Sequence, residues 1–257
     1  MNVQKFARVQ LVDGSTHFAQ VEQDRLLLLD VAPWQGGGVV DALEADGTQT
    51  EYRLLAPVVP GKVIAVGLNY RSHVAEMHDT LPEEPIIFLK PPSAVIGPGT
   101  PIRLPEMSRE VHYEAELAIV IGKTASRVQE SEAAEFIWGY TCANDVTARD
   151  LQRKDGQWTR SKSFDTFCPL GPYVVKGMDA TALSVQTFVA GKLSQDGNTK
   201  DMIFSVPYLV HFISQVMTLQ PGDVILTGTP EGVGSIHVGD QVEVRIEGIG
   251  VLANPVA

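Results

Sequence analysis

Three acidic residues are spaced as metal ligands would be. Glu114 and Glu116 alternate along His112-Tyr113-Glu114-Ala115-Glu116-Leu117-Ala118-Ile119-Val120-Ile121-Gly122-Lys123, a segment that reads as a strand. A period of two puts Glu114, Glu116, Ala118 and Val120 on one face and Tyr113, Ala115, Leu117, Ile119 and Ile121 on the other. Apolar residues on both faces predict a strand buried on both sides. Two carboxylates at one end of such a strand repel each other and resist desolvation unless a cation neutralises them. Oxygen donors of this type suit Mg²⁺, Mn²⁺ or Ca²⁺. Asp145 closes a second predicted strand, Trp138-Gly139-Tyr140-Thr141-Cys142-Ala143-Asn144-Asp145, and a third carboxylate there makes an octahedral site with water or substrate oxygens. An isolated Glu-x-Glu also occurs where a strand emerges into solvent, and Asp145 alone also suits a helix N-cap.

A second constellation is Gly67-Leu68-Asn69-Tyr70-Arg71-Ser72-His73-Val74-Ala75-Glu76, which follows a short apolar run. On a helix turn, His73 and Glu76 can touch. A carboxylate beside an imidazole orients it and raises its basicity, the arrangement needed to deprotonate water. The same pair also occurs on solvated helix faces. Lys162 sits among Arg153, Lys154 and Arg160, a basic stretch that by itself reads as a solvated loop, with fixed positive charge for an anionic substrate as the alternative. Trp158 in that stretch is a candidate lid, with packing in the core or a dimer contact as alternatives. The glycines of Gly228-Thr229-Pro230-Glu231-Gly232-Val233-Gly234 lack the Gly-Lys-Ser/Thr ending of a phosphate loop, so no nucleotide or other organic cofactor is expected. His17, His78, His112, His211 and His237 have no second ligand at metal spacing and read as structural.

The elements that must position these residues are mostly short strands. Apolar runs at 63–67, 86–89, 116–121, 224–226 and 242–246 predict strands separated by glycine and proline turns. Helices are fewer. Ser205 is a candidate N-cap, Pro207 lies in the first turn, and Leu209, Phe212, Ile213, Val216 and Met217 form a core-facing stripe. A second helix is predicted over 132–137. The first residues alternate differently, with strands at 3–11 and 17–23, the apolar run 26–29, and turn signals at Asp13-Gly14-Ser15, Gly36-Gly37-Gly38 and Asp46-Gly47. The expected organisation is a small β-rich N-terminal domain over 1–58 and a second domain over 59–257. Strands with few helices and no regular alternation point to an α+β class.

Composition bounds the function. The 257 residues include 20 basic and 31 acidic side chains, and a net charge of −11 disfavours binding to phosphate backbones or anionic membranes. No apolar run approaches the length that spans a bilayer. Two cysteines, Cys142 and Cys168, cannot build a disulfide framework and read as reduced core residues. With no basic-then-apolar leader, the expected compartment is the cytoplasm.

Several motifs, in order, resemble the fumarylacetoacetate hydrolase family. They are Gly67-Leu68-Asn69-Tyr70 with His73 and Glu76, Phe88-Leu89-Lys90-Pro91, His112-Tyr113-Glu114-Ala115-Glu116, Asn144-Asp145-Val146-Thr147-Ala148-Arg149-Asp150, Pro221-Gly222-Asp223-Val224-Ile225-Leu226-Thr227-Gly228-Thr229-Pro230, and the closing Glu247-Gly248-Ile249-Gly250-Val251-Leu252-Ala253-Asn254-Pro255. The similarity spans roughly residues 60 to 257. It implies a mixed β-sheet roll assembled as a homodimer, preceded by a variable N-terminal region. It also implies Glu114, Glu116 and Asp145 as Mg²⁺ or Mn²⁺ ligands, and His73 with Glu76 as a water-activating dyad. Lys162 is implied as a contact to substrate oxygen, Arg149 and Gln152 as pocket residues, and Thr229 as a holder of the substrate carboxylate.

The activity this implies is hydrolysis of a carbon–carbon bond in a small 2,4-dioxo acid of the acylpyruvate type, through a metal-stabilised enolate. Water deprotonated by His73 would attack the distal carbonyl. Decarboxylation of oxaloacetate, or isomerisation of a 2-hydroxyhepta-2,4-diene-1,7-dioate as in homoprotocatechuate breakdown, would use the same site. A metal-binding homologue without catalysis is the remaining alternative.

Overall fold

Short apolar runs closed by glycine and proline turns produce a chain dominated by strands. The computed structural model describes residues 3–44 and 52–257, and the Asp46-Gly47 turn signal lies outside them. The N-terminal part supplies β1 (Gln4–Leu11), β2 (Thr16–Glu22), β3 (Arg25–Leu29), β4 (Val39–Glu44) and β5 (Tyr52–Leu54). Next come β6 (Val63–Gly67), α1 (Arg71–Glu76), β7 (Ile86–Lys90), β8 (Val95–Ile96), β9 (Val111–Tyr113), β10 (Ala115–Ile121), β11 (Ile137–Asn144) and β12 (Thr147–Ala148). The remainder holds α2 (Arg149–Asp155), α3 (Thr159–Lys162), β13 (Cys168–Lys176), β14 (Ser184–Val189), β15 (Lys192–Asn198), α4 (Val206–Val216), β16 (Val224–Leu226), β17 (Gly234–Ser235), β18 (Gln241–Ile246) and β19 (Gly250–Pro255).

One large sheet runs β4-β3-β2-β1-β13-β11-β10-β16-β6-β7, with β5 added on β1 and β8 on β13. It is mixed: β16 pairs parallel with β6 and β8 parallel with β13, whereas β10 and β11 are antiparallel. A four-stranded sheet, β15-β14-β18-β19, and a three-stranded one, β12-β9-β17, complete the α+β fold. The β-rich N-terminal strands extend the large sheet through the β1–β13 pairing.

Alternation on three neighbouring strands builds two cores, one on each face of the sheet. Val63, Ala65, Ala118, Val120, Val224 and Leu226 face one core. Ile64, Val66, Ile119, Ile121 and Ile225 face the other, where α4 packs with Leu209, Val210 and Ile213. Strands covered on both faces need apolar residues at every position, which is why these runs are continuous. Ser205 caps α4 by accepting from the Tyr208 backbone N–H.

Three local expectations are corrected. The predicted strand over 112–123 is two strands, because the chain leaves the β12-β9-β17 sheet after Tyr113 and enters the large sheet at Ala115. The segment predicted as a helix over 132–137 is a 3₁₀ helix, Glu130–Phe136, and Ile137 already begins β11. Val216 of the predicted apolar stripe is 57% exposed, since it is the last helical residue, and Val210 is buried in its place.

Candidate active site

The antiparallel pairing of β10 with β11 brings the three acids together. Ala115 lies opposite Asn144 and Glu116 opposite Ala143, so the start of one strand meets the end of the other. The Asp145 N–H donates to the Glu114 carbonyl at 2.8 Å, and the Glu114 N–H donates to Asn144 Oδ1 at 2.9 Å. These bonds fix the irregular residue between β9 and β10. Glu114, Glu116 and Asp145 are all buried, and one carboxylate oxygen from each lies within 4.8 Å of the others.

Buried acids need compensation, and three cations provide most of it. Lys162 Nζ donates to Glu114 Oε2 at 2.8 Å and to Asp145 Oδ2 at 2.6 Å. Lys90 Nζ donates to Asp145 Oδ1 at 2.5 Å, and Arg149 pairs with Glu114. Burial disfavours the Glu114 anion, yet Lys162 and Arg149 outweigh it and hold this carboxyl well below the usual carboxylate range. Burial also opposes the charge on Lys162, but Asp145 and Glu114 keep its pKa above that of an ordinary lysine. Glu116 is different. Among the described residues it has no cationic partner and only the Gly228 N–H as a hydrogen-bond donor, at 2.6 Å. Burial, then the charges of Asp145 and Glu114, push its carboxyl well above the ordinary range. A divalent cation fits this set, because it takes hard oxygen donors and supplies the charge that Glu116 lacks.

Across the cleft, α1 presents His73, whose Nδ1 lies 2.9 Å from Glu76 Oε2. Glu76 Oε1 accepts from the Gly232 N–H at 2.9 Å, so its carboxylate is held from both sides. The cleft, about 270 Å³, is lined by His73, Glu114, Glu116, Asp145, Arg149, Gln152, Lys162 and Thr229. Glu76 stands behind His73 and does not line it. One wall is aromatic: Trp158 meets Phe88 edge-on with ring centroids 5.3 Å apart, and Lys162 Nζ lies 5.1 Å from the centre of the Phe88 ring. Trp158 approaches the chain at Gly67, where a Cβ would stand 2.4 Å from a ring carbon.

The sequence of residues 62–257 matches the pattern described as Fumarylacetoacetate (FAA) hydrolase C-terminal. The chain belongs to the fumarylacetoacetate hydrolase family. It is similar to 5-carboxymethyl-2-hydroxymuconate delta-isomerase from Mycobacterium smegmatis, with 47% identity and a TM-score of 0.91 over 98% of this chain and 99% of that one. It is 45% identical over 222 residues to the mitochondrial oxaloacetate tautomerase of Xenopus laevis, which covers 81% of this chain and 70% of that protein. A maleylpyruvate hydrolase from Sphingobium sp. SYK-6, solved with manganese(II) and pyruvate, shares 30% identity and a TM-score of 0.80 over 98% of both chains.

Within the fumarylacetoacetate hydrolase fold, all nine residues singled out from the sequence therefore gather at one place. Lys90 was not among them. It lies in the Phe88-Leu89-Lys90-Pro91 motif, but no role was drawn from it, and nothing in that pattern shows that its ammonium is buried against Asp145. Gln195 was also missed, because the run Ser194-Gln195-Asp196-Gly197-Asn198 is continuously polar and carries no sign of burial. The histidines read as structural stay out of the acid cluster: His211 Nδ1 donates to the Val128 carbonyl at 2.7 Å, and His112 lies between Glu110 and Arg149. Cys142 and Cys168 are free and buried. Among the described residues, no helix is long and apolar enough to cross a membrane.

Proposed function

We propose that the chain is a Mg²⁺- or Mn²⁺-dependent enzyme that moves a proton on a small 2-oxo acid, interconverting keto and enol forms or shifting a conjugated double bond. The observation that carries this reading is the placement of an oriented imidazole, His73 on Glu76, in the same cleft as a buried acid cluster bridged by Lys162. Glu114, Glu116 and Asp145 would hold the ion, which when bound supplies Lewis-acid polarisation of the substrate's 2-oxygen. Glu76 accepts the Nδ1 proton, so Nε2 is the nitrogen that takes a proton from the substrate carbon and returns it. Lys162 stays protonated between two carboxylates and donates to the oxygen on which charge develops. Arg149, Gln152 and Thr229 line the walls that would seat the remaining oxygens.

Proton transfer is preferred over carbon–carbon hydrolysis because the tautomerase and isomerase are 45% and 47% identical to this chain, whereas a fumarylacetoacetate hydrolase and the maleylpyruvate hydrolase are 36% and 30% identical. Hydrolysis of an acylpyruvate is the second reading, favoured by the His73–Glu76 pair, since such a pair also activates water. Assembly as a homodimer belongs to the same proposal and is checked by light scattering.

The test is a substrate panel with metal-loaded and chelated protein: enol oxaloacetate, a 2-hydroxy-diene-dioate, and acylpyruvates. Turnover of the first two in the loaded protein is expected, with decarboxylation scored separately as CO₂ release. His73→Ala should keep its metal and lose about 10²–10⁴-fold in rate. Turnover of acylpyruvates alone would replace this reading with the hydrolytic one. Absence of turnover across the panel would overturn the enzyme reading.

A further inference from the structure

We propose that Gln195 is a positioning residue that aims the Thr229 hydroxyl at the substrate carboxylate, an inference that rests on the 2-oxo acid reading above. Gln195 lies on β15, outside the large sheet, and is 1% exposed. Two backbone groups fix the orientation of its amide. Oε1 accepts from the Ala115 N–H at 3.0 Å, and Nε2 donates to the Pro230 carbonyl at 2.9 Å. Rotating the amide by half a turn would oppose donor to donor and acceptor to acceptor, so only this orientation satisfies the network. The same Oε1 accepts from Thr187 Oγ1 at 2.7 Å, and the same Nε2 donates to Thr229 Oγ1 at 2.8 Å.

The last of these bonds has a chemical consequence. Since Gln195 donates to Thr229, the hydroxyl cannot spend its own proton on that amide. Among the described residues it has no other recorded acceptor, and Thr229 lines the cleft. The hydroxyl is thus left as a donor toward an anion placed there, a charge-assisted contact. Ala115 lies between Glu114 and Glu116, so one buried side chain ties the acid strand to the turn that faces the substrate. Close contact between this hairpin and the turn depends on two glycines: a Cβ on Gly197 would stand 2.4 Å from Pro230 Cβ, and one on Gly232 would stand 2.3 Å from the Ser194 carbonyl oxygen.

The test uses Gln195→Glu, which keeps an oxygen for Ala115 but replaces the NH₂ facing Thr229 with an acceptor, and Thr229→Val, which removes the hydroxyl. Binding of oxalate to the Mn²⁺-loaded protein is measured by calorimetry, and kcat and KM are measured on the substrate the panel identifies. Gln195→Glu should raise the oxalate Kd and the KM at least about tenfold, or about 1.4 kcal/mol, with kcat less affected. In the Thr229→Val background the same change should cost less than about twofold, because no hydroxyl remains to be aimed. Thr229→Ser, which keeps the hydroxyl, should recover most of the oxalate affinity that Thr229→Val loses. Equal losses in both backgrounds, or an unchanged oxalate Kd, would overturn the proposal. If the glutamate variant does not fold, Gln195→Asn, too short to reach Ala115 and Thr229 together, must weaken oxalate in the same direction, and unchanged binding again overturns it. Failure of wild-type turnover with intact oxalate binding would reject the reaction and leave the Gln195 assignment to be decided by the oxalate measurements; no oxalate binding by the wild type rejects the assignment too.

Discussion

Lys90 places its ammonium 2.5 Å from Asp145 Oδ1, and both side chains are almost wholly removed from solvent. The pair ties the end of β7 to the end of β11, two strands separated in the sheet by β10, β16 and β6. Truncating the cation leaves a buried carboxylate short of one partner. Lys90→Ala should therefore destabilise the protein by about 3–5 kcal/mol, read from urea unfolding of the metal-free form. A loss under 1 kcal/mol would mean that Lys162 alone compensates Asp145.

Metal binding should be visible without turnover. A ligand that binds only the folded protein stabilises it by about 2.7 kcal/mol at one hundred times its Kd. Thermal melting with Mg²⁺ or Mn²⁺ should show that gain, and chelation should reverse it. Glu116→Gln should melt like the wild type without metal and lose most of the metal-dependent increment. An increment unchanged by this substitution would remove Glu116 from the ligand set.

The aromatic wall depends on the absence of a side chain at Gly67. Gly67→Ala puts a methyl 2.4 Å from a Trp158 ring carbon, so the ring must leave its place against Phe88. Overpacking of this kind costs about 1–3 kcal/mol. The expected result is a changed tryptophan emission and a raised KM, with secondary structure retained by circular dichroism. Unchanged emission and KM would show that the wall is not held by this contact.

Burial pushes the thiols of Cys142 and Cys168 up to about 12. An unfolded cysteine titrates near about 8.5, so the stabilising contribution is fully present below that pH and is lost as pH rises toward about 12. The native protein should not react with a thiol reagent at pH 8, and both thiols should react on unfolding. The alkaline fall in stability should be shallower in the Cys142→Ala/Cys168→Ala variant. A parallel fall would assign the effect to other groups, such as Tyr140, whose hydroxyl burial also pushes up to about 12.

Much of the site was legible because chemistry-bearing residues were clustered in short motifs. His73 and Glu76 lie one helical turn apart, so local geometry alone lets them meet, and they do on α1. Glu114 and Glu116 are two residues apart around the start of β10, and Asp145 directly follows the end of β11, the strand that pairs with it. The sheet strands were legible wherever both faces were buried, as at 63–67 and 224–226, since continuous apolar runs have few other uses. The 3₁₀ helix at 130–136 and the break at Glu114 were not. Hydrophobic period cannot show where a chain changes sheets, because that depends on which strands lie alongside.

The sequence by itself determined which side chains are on offer: three carboxylates, an imidazole one helical turn from an acid, and short apolar strands beside them. The tertiary structure decided the charge balance. Lys90, Lys162 and Arg149 reach Glu114 and Asp145 from β7, α3 and α2, whereas Glu116 receives, among the described residues, only a backbone N–H from the turn at Gly228. It also decided that Gln195, on a polar hairpin in a separate sheet, is buried at the junction of the acid strand and the Thr229 turn. Such partners are distant in the chain and become neighbours only through sheet pairing and packing. Electrostatic interactions in a low-dielectric interior depend on those distances, and spacing along the sequence does not encode them.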